Sequence, residues 1–298
     1  MAPAASPPPS RSCRPVLPHE SAVMPDADLV RDQDRLRTFI EAHPKLFVLT
    51  GAGCSTDSGI PDYRDTDGGW KRPQPVTYQA FMGDLRTRQR YWARSLVGWR
   101  RFGNARPNDT HHALARLEQR GHARMLLTQN VDGLHQAAGH RQVIDLHGRL
   151  DEVRCTACDN HLPRGAFQQM LVERNPAWAL LDAADAPDGD ADLDGRDFSN
   201  FHVPPCPACA GVLKPDVVFF GESVPRERVD AAITSLNDAD GVLVVGSSLM
   251  VFSGYRFVAA AARDGKPVAA VNLGRTRADP LLALKIERSC ADVLAFIA

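Results

Sequence analysis

Two close pairs of cysteines carry the clearest metal-binding signal in the sequence. Cys155 and Cys158 enclose two residues, and Cys206 and Cys209 enclose two more. Four thiolates make a closed structural Zn²⁺ site, and in a reducing compartment this spacing is typical of zinc ligands rather than of disulfides. The long segment between the pairs exceeds the loop of a nucleic-acid-binding ribbon. We therefore expect one structural zinc ion that holds an inserted module.

A glycine-rich turn follows the first apolar run of the chain. The run at residues 45–50 leads into Gly51, Ala52 and Gly53. Glycines let a backbone approach a pyrophosphate closely, and a following helix start offers free N–H donors. The spacing differs from the G-x-G-x-x-G dinucleotide fingerprint, and no acidic residue follows at the usual distance. On this motif alone, a nucleotide site and a glycine turn without a ligand both remain open.

Polar side chains stand at the ends of later apolar runs. Asn130 and Asp132 follow the run 125–128, and His147 directly follows the run 143–146. Open parallel sheets bind ligands at the carboxyl ends of their strands, so these side chains are expected to meet. Imidazole is the commonest general base near neutral pH, which makes His147 a candidate for proton transfer. The runs 241–245 and 267–271 are followed by Gly246, Ser247, Ser248, Asn272, Leu273 and Gly274.

The apolar runs alternate with longer segments of helical character, which is the pattern of a mostly parallel sheet. Buried parallel strands read as continuous apolar runs because helices cover both faces of the sheet. We predict an α/β fold, a Rossmann-like parallel sheet with helices on both faces, plus a small inserted zinc-binding module. Strands are predicted at 45–50, 125–128, 143–146, 217–220, 241–245 and 267–271, and helices at 26–43, 78–102 and 108–120.

The composition limits the classes of partner. The 298 residues carry a formal net charge of −1 and include 44% hydrophobic residues. Without a basic excess we expect no direct nucleic-acid binding. No stretch approaches the roughly 20 apolar residues that cross a bilayer, so no membrane partner is expected either. The odd number of cysteines, without regular spacing, favours a reducing compartment.

Several segments and the two cysteine pairs resemble, in order along the chain, the signature of the sirtuin family. The segments lie at 51–55, 59–64, 128–132, 146–148 and 246–249. The resemblance covers about residues 35–298. Further segments are similar to the class II branch, which includes the mitochondrial lipoamidase and ADP-ribosyltransferase sirtuin; they lie at 90–94, 187–190, 213–221 and 253–257.

The resemblance implies an NAD-dependent protein-lysine deacylase that consumes NAD as a co-substrate. The acyl-lysine oxygen would attack the nicotinamide ribose, and the products would be free lysine, nicotinamide and O-acyl-ADP-ribose. Carried over, His147 would accept a proton from the ribose, and Asn130 and Asp132 would line the nicotinamide pocket and orient the ribose. The four cysteines would bind a structural zinc ion remote from the chemistry.

The resemblance also implies two binding surfaces. One is a backbone edge on which a substrate peptide adds as a strand; its residues are Val217, Val218, Phe219, Phe220 and Gly221. The other would contact NAD; its residues are Gly51, Ala52, Gly53, Ser55, Ile60, Pro61, Asp62, Tyr63, Arg64, Gln129, Asn130, Asp132, Gly246, Ser247, Ser248, Asn272, Leu273, Gly274 and Cys290. For Cys290, a role as a small buried residue is an equal alternative.

The chain is predicted to have three parts. Residues 1–25, rich in Pro, Ala and Ser, are interpreted as a disordered tail, and residues 26–298 as a Rossmann-like NAD-binding catalytic domain. Residues 150–215 are assigned to the inserted zinc-binding module, and the acidic stretch 182–200 within it is interpreted as a solvated loop. We expect a cytoplasmic bacterial protein; a mitochondrial matrix protein with a transit peptide is the weaker alternative.

Several alternatives remain open from the sequence. The same site could serve protein mono-ADP-ribosyl transfer or a lipoamidase-type deacylation. A zinc-ribbon binding module for protein or nucleic acid, and an NAD dehydrogenase, are less favoured. A Tyr-x-x-Arg pair that grips succinyl groups in another sirtuin branch is not apparent after residues 69–72, so inefficient desuccinylation is expected. The preferred acyl group and the oligomeric state are left open, a monomer included.

Overall fold

A parallel sheet of six strands forms the centre of the described structure, as the sequence pattern predicts. The computed structural model describes residues 26–71, 75–183, 185–186, 190–193 and 195–297, and the predicted tail at 1–25 lies outside them. The strands are β1 (Leu46–Thr50), β2 (Ala123–Thr128), β3 (Val143–Asp145), β9 (Gly241–Val245), β10 (Val268–Val271) and β11 (Leu284–Ile286). Across the sheet they follow the order β11-β10-β9-β1-β2-β3.

The central strands β1, β9 and β10 are buried along their whole length. Successive side chains of a strand point to opposite faces of the sheet. Leu46 and Val48 accordingly join one apolar cluster, whereas Phe47 and Leu49 join another. This two-sided burial explains why the sequence shows continuous apolar runs instead of alternation.

Helices cover both faces of the sheet. The first face is packed by α1 (Ala27–Ala42), α4 (Asp109–Gln119) and α10 (Cys290–Leu294), and the second by α8 (Arg226–Asn237) and α9 (Phe252–Arg263). The remaining helices are α2 (Tyr78–Gly83), α3 (Leu85–Phe102), α5 (Leu134–Ala137), α6 (Arg164–Arg174) and α7 (Pro176–Ala179).

The predicted single helix at 78–102 is wrong in its continuity. Asp84 separates α2 from α3, and its carboxylate accepts hydrogen bonds from the backbone N–H groups of Arg86 and Thr87. A carboxylate in this position satisfies free donors at a helix start, so the chain begins a new helix there. The predicted helix at 108–120 is confirmed, and Asn108 caps α4 in a reciprocal hydrogen-bonded box with His111.

The inserted module contains a second, antiparallel sheet built from β4 (Gly148–Cys155), β5 (His161–Pro163) and β8 (Leu213–Val217). The predicted strand at 217–220 is therefore wrong in its bounds and its place. Its apolar residues follow β8 instead of extending the parallel sheet. Residues of this sheet pack against α3, where Trp92 is fully buried.

The interpretation of 182–200 as a solvated loop is confirmed for 195–200, which are mainly exposed and lie outside helices and strands, but it is wrong for the part before them. Its described part contains a short antiparallel hairpin of β6 (Asp185–Ala186) and β7 (Asp190–Ala191). Ala191 and Leu193 are buried in the same cluster as Trp92. Asp190 pairs with Arg94 of α3, with 3.4 Å between Nε and Oδ2. A basic partner on another element thus allows an acidic segment to pack inward, and composition alone does not reveal such a partner.

Candidate active site and zinc centre

One cavity of about 780 Å³ collects the residues that the sequence analysis singled out. It lies at the carboxyl ends of the parallel strands, where His147, Asn130 and Asp132 line it together with the predicted peptide edge. Every residue predicted to contact NAD also lines it, with one exception. Gly274 is not part of the described lining; it lies behind the wall, against the backbone of Thr66.

The glycine turn after β1 packs directly on the turn after β9. The N–H of Gly51 donates to the Val245 carbonyl at 3.3 Å, and the N–H of Gly53 donates to the Gly246 carbonyl at 2.8 Å. A Cβ on Gly51 would lie 2.8 Å from the Cβ of Ser247, which is closer than atoms can pack. The glycines are thus required for contact between two backbone turns, in addition to the close approach of a ligand that the sequence analysis inferred.

Ser55 links the two predicted nicotinamide-pocket residues. Its hydroxyl donates to Oδ2 of Asp132 at 2.7 Å and accepts from Nδ2 of Asn130 at 3.1 Å. Asn130 donates from the same nitrogen to the Gly51 carbonyl at 3.0 Å. The amide and the carboxylate are therefore held at fixed positions beside the glycine turn, as the orientation of a ribose requires.

The Asp132 carboxyl is buried, and this burial raises its pKa above the usual value. The N–H of Leu134 and the hydroxyl of Ser55 donate to it and oppose the rise. Behind Ser55 lies His111, whose Nε2 is 3.5 Å from the Ser55 hydroxyl. The capping box of α4 thereby supports the pocket from its outer side, a role that sequence reasoning missed.

His147 is held by hydrogen bonds to both ring nitrogens. Nδ1 lies 2.9 Å from the Gln129 carbonyl, which can only accept, so Nδ1 carries the proton. Nε2 is then the acceptor, and the Ser253 hydroxyl lies 2.8 Å from it. Burial lowers the pKa of His147, so the imidazole is neutral at neutral pH. This tautomer and charge state suit a general base that acts through Nε2.

Sequence reasoning missed Ser253 as a site residue. It stands at the start of α9 and lines the cavity beside His147. The signal was present, because segment 253–257 belongs to the family resemblance, but no chemical role was attached to it. Only the fold brings it within 2.8 Å of an imidazole that lies 106 positions away in the chain.

The predicted peptide edge is stabilised by a partly buried ion pair. Nζ of Lys214 lies 3.1 Å from Oε2 of Glu222, and that oxygen also accepts the N–H of Phe219 at 2.9 Å. Lys214 additionally donates to the Val217 carbonyl. The N–H of Val218 donates to the His147 carbonyl at 2.8 Å. Lys214 and Glu222, which sequence reasoning also missed, therefore fix the shape of the edge next to the candidate base.

Three of the predicted NAD contacts that line the cavity come from the loop after β10 and from the start of α10. Asn272 turns its amide onto the carbonyls of Leu273 and Gly274, and the Leu273 side chain is 61% exposed at the cavity rim. Cys290 lines the cavity although its side chain is largely buried. Cys54 is buried in the core, and its thiol donates to the Val245 carbonyl, so it is a packing residue.

The four predicted metal ligands form a cluster in which all sulfur atoms lie within 4.8 Å of one another. The Sγ atoms of Cys155 and Cys209 are 3.5 Å apart, and those of Cys158 and Cys206 are 3.8 Å apart. Tetrahedral zinc with Zn–S bonds of about 2.3 Å places its sulfur ligands roughly 3.8 Å apart, so the residues fit the ion. Four protein ligands leave no open coordination position, which is the pattern of a structural site.

Comparison with known proteins identifies the family. The chain matches the Sir2 family over residues 51–253. It is 72% identical over 262 residues to an "NAD-dependent protein deacetylase" of Xanthomonas campestris pv. campestris, covering 88% of this chain and 89% of the relative. The "NAD-dependent protein deacylase Sirt4" of Drosophila melanogaster is 45% identical over 281 residues, covering 93% and 88%. The chain belongs to the Sir2 family, which confirms the resemblance to sirtuins.

Solved structures agree with this assignment. A structure described as "Sir2-p53 peptide-NAD+" matches with a TM-score of 0.69 at 27% identity, covering 89% of this chain and 96% of that chain. A structure of Sir2Tm bound to a propionylated peptide also gives a TM-score of 0.69 at 27% identity, with 89% and 96% coverage. The predicted α/β fold with an inserted zinc-binding module is thereby confirmed.

Replacing Cys209 by Ser is expected to remove the zinc ion and destabilise the whole chain. Loss of one thiolate opens the site and leaves β4 and β8 without their metal link, at a cost of about 3 kcal/mol, or a fall in Tm of roughly 6–12 °C. Zinc content by elemental analysis and Tm by calorimetry measure the effect. Cys290→Ser is the matched control and should keep one zinc per chain. A Cys209→Ser protein with unchanged zinc content would contradict the assignment.

Replacing His147 by Ala is expected to lower kcat for NAD-dependent deacetylation by about 10²–10⁴-fold, because the proton acceptor is lost. Affinity for ADP-ribose should stay within a few-fold of wild type, since the turns that hold the nucleotide are unchanged. His112→Ala, an exposed histidine of α4, is the control and should keep its activity. Because burial lowers the pKa of His147, the acid limb of the wild-type kcat profile should lie below pH 6.5. Full turnover by His147→Ala would remove this residue from its role.

Proposed function

We propose that this protein is an NAD-dependent protein-lysine deacylase that releases nicotinamide and O-acyl-ADP-ribose. The observation that carries the proposal is the convergence of three features in one cavity: the glycine turn after β1, the neutral His147, and the peptide edge after β8. Relatives of high identity bear the name NAD-dependent protein deacetylase and are matched over nearly their whole length. When bound, NAD supplies the ribose carbon that receives the acyl oxygen as nicotinamide leaves.

The residues of this chain divide the work between binding and proton transfer. Asn130 and Asp132, fixed through Ser55, hold the nicotinamide ribose beside the glycine turn. His147 takes a proton from a ribose hydroxyl at Nε2, which the Ser253 hydroxyl occupies in this structure. A ribose hydroxyl that replaces Ser253 there meets an acceptor already in the correct tautomer, so no proton has to be relocated within the ring.

The peptide edge supports a protein substrate in place of a free small molecule. Residues 217–221 leave β8 and run along the cavity, and the ion pair of Lys214 and Glu222 keeps their shape. An extended peptide that adds to such an edge is bound by main-chain hydrogen bonds, so its sequence matters little and its acyl-lysine can enter the cavity. Solved Sir2 structures with peptides are consistent with this use of the fold.

The part of the cavity lined by Tyr91 and Asp190, which we term the acyl end, favours uncharged acyl groups. Tyr91 of α3 lines it, and Tyr91 and Arg94 do have the Tyr-x-x-Arg spacing that the sequence analysis did not find after residues 69–72. Arg94, however, pairs with Asp190, whose carboxyl also lines the cavity. The charge that could hold a succinyl group is thereby balanced within the protein, so we propose acetyl and longer neutral chains as substrates.

The activity can be tested by incubating the protein with NAD and histone-type peptides that carry unmodified, acetyl, butyryl, hexanoyl, lipoyl or succinyl lysine. Nicotinamide release should require an acyl group, and mass spectrometry should detect the matching O-acyl-ADP-ribose. The His147→Ala protein serves as the control for chemical hydrolysis. Absence of acyl-dependent release across the panel would defeat the proposal. Transfer of label from radiolabelled NAD to protein without any acyl group would instead favour mono-ADP-ribosyl transfer.

Asp190→Asn is expected to raise the ratio of desuccinylation to deacetylation, measured as kcat/KM, by about tenfold, or about 1.4 kcal/mol, because it removes a negative charge of the cavity wall that repels a succinyl carboxylate. Burial raises the pKa of Asp190 to about 7, so the carboxylate is charged at pH 8 and largely protonated at pH 6. In wild type, the ratio should therefore be higher at pH 6 than at pH 8, and in the variant it should not change. The control is Asp182→Asn, which removes an exposed partner of Arg101 on the same helix. An unchanged ratio would rule out this role for Asp190.

Cellular location, oligomeric state and the range of partners remain predictions from the sequence. Among the described residues, no helix is both long and apolar enough to cross a membrane. We propose a cytoplasmic protein that acts on acyl-lysine proteins, with nucleic acid and membranes outside its set of partners.

A further inference from the structure

Residues 63–71 form a hairpin at the cavity rim, which we term the cofactor flap. The N–H of Lys71 donates to the Tyr63 carbonyl at 2.9 Å, and the N–H of Asp65 donates to the Gly69 carbonyl at 3.0 Å. Between these bonds, Arg64 and Trp70 pair across the hairpin in antiparallel fashion. The flap is therefore a small structured element in which a shift of one strand moves the other.

The two sides of the flap are held together by a cation–π contact. The guanidinium carbon of Arg64 lies 3.9 Å from the ring centre of Trp70, and Nη1 of Arg64 donates to the Gly68 carbonyl at 2.7 Å. Tyr63 meets the same indole edge-on, with ring centres 6.3 Å apart. Tyr63 and Arg64 both line the cavity on the side predicted to hold NAD. The position of the indole thus sets the position of two cofactor-facing side chains.

Trp70 also contacts the peptide side of the site. Its ring centre lies 5.7 Å from that of Phe220, at an interplanar angle of 69°. Phe220 belongs to the predicted peptide edge, its side chain is 38% exposed, and its carbonyl accepts the N–H of Tyr78 at 2.9 Å. A peptide that adds along this edge covers Phe220 and so limits where the indole can lie.

Other contacts of the flap with the described residues do not involve the indole of Trp70, and Lys71 for instance pairs with Asp62. The Thr66 carbonyl accepts the N–H of Arg275 at 2.8 Å, which ties the flap tip to the loop after β10. Gly68 packs against the Met250 side chain, which precedes α9. Within the described residues, Trp70 is the side chain for which ring contacts to both Arg64 and Phe220 are observed.

We propose that Trp70 is a positioning residue that couples the peptide site to the NAD site. With the peptide in place, the indole is confined between Phe220 and Arg64, and the flap is held in the position that receives the nucleotide. Coupling of this kind is reciprocal, because each ligand must change the affinity for the other by the same factor. The proposal rests on the proposed function, since it takes an acyl-lysine peptide as the ligand of the edge.

The test measures the dissociation constant of ADP-ribose, a non-reacting nucleotide, by calorimetry with and without a saturating acetyl-lysine peptide. In wild type, the peptide should tighten ADP-ribose binding by about fivefold or more, which is the lower end of usual couplings. In Trp70→Ala the two dissociation constants should agree within about twofold. Trp70→Phe, which keeps an aromatic ring, should restore most of the difference. Tm and circular dichroism confirm that each variant is folded.

A double-mutant cycle with Phe220→Ala separates coupling from a local packing defect. If the two rings transmit the effect, Phe220→Ala and the double variant should lose the same coupling factor as Trp70→Ala, without summation. Leu180→Ala, which removes a hydrophobic side chain that is 85% exposed, is the control and should keep the wild-type factor. A wild-type factor near one, or a folded Trp70→Ala protein with undiminished coupling, would overturn the proposal. Nicotinamide release by wild type tests the proposed function separately, because the coupling assay involves no turnover.

Discussion

The contact between two backbone turns, one after β1 and one after β9, is the constraint on which the active site depends. The turn after β1 donates two hydrogen bonds to carbonyls of Val245 and Gly246, and the contact leaves no space for a Cβ on Gly51. β1 and β9 are adjacent parallel strands, so their ends necessarily lie side by side. Asn130 donates to the Gly51 carbonyl and Ser247 packs against Gly51, so this contact fixes the positions of both residues in the cavity wall.

A second constraint joins the candidate base to the predicted peptide edge. Gly148 follows His147 directly and pairs with Val217 at the start of the antiparallel sheet. Its φ of +79° and the position of a hypothetical Cβ, 2.0 Å from the Asp216 carbonyl oxygen, exclude any larger residue there. The candidate base and the edge that presents its substrate are thus neighbours through one backbone contact. The zinc cluster lies at the far end of the same strands and stabilises them without entering the cavity.

The hydrogen-bond partners of His147 are uncharged: the Gln129 carbonyl and the Ser253 hydroxyl. His147 is neutral because it is buried, and its tautomer is fixed by the Gln129 carbonyl. Asp190 differs from His147 because its partner is charged: its carboxyl group, whose pKa is raised by burial, pairs with Arg94. The cavity wall therefore holds both a candidate base that can accept a proton and a carboxyl group that forms an ion pair with an arginine.

The sequence by itself determined what depends on neighbouring residues in the chain. The apolar runs predicted five of the six strands of the parallel sheet, whereas β11 was not predicted. The cysteine spacing predicted the zinc cluster, and the residues that end the predicted strands predicted most of the cavity wall. These succeed because strand ends in a parallel sheet converge whatever the loops do. The tertiary structure alone decided features that depend on partners distant in the chain. It placed the residues after β8 at the edge of the module, buried Asp190 against Arg94, brought Ser253 to His147, and set Trp70 between Arg64 and Phe220. Gly274 fell outside the cavity wall for the same reason, because its surroundings are supplied by Thr66 of the flap. Local patterns cannot report such contacts, since each is made by a side chain whose partner is chosen only when the elements pack.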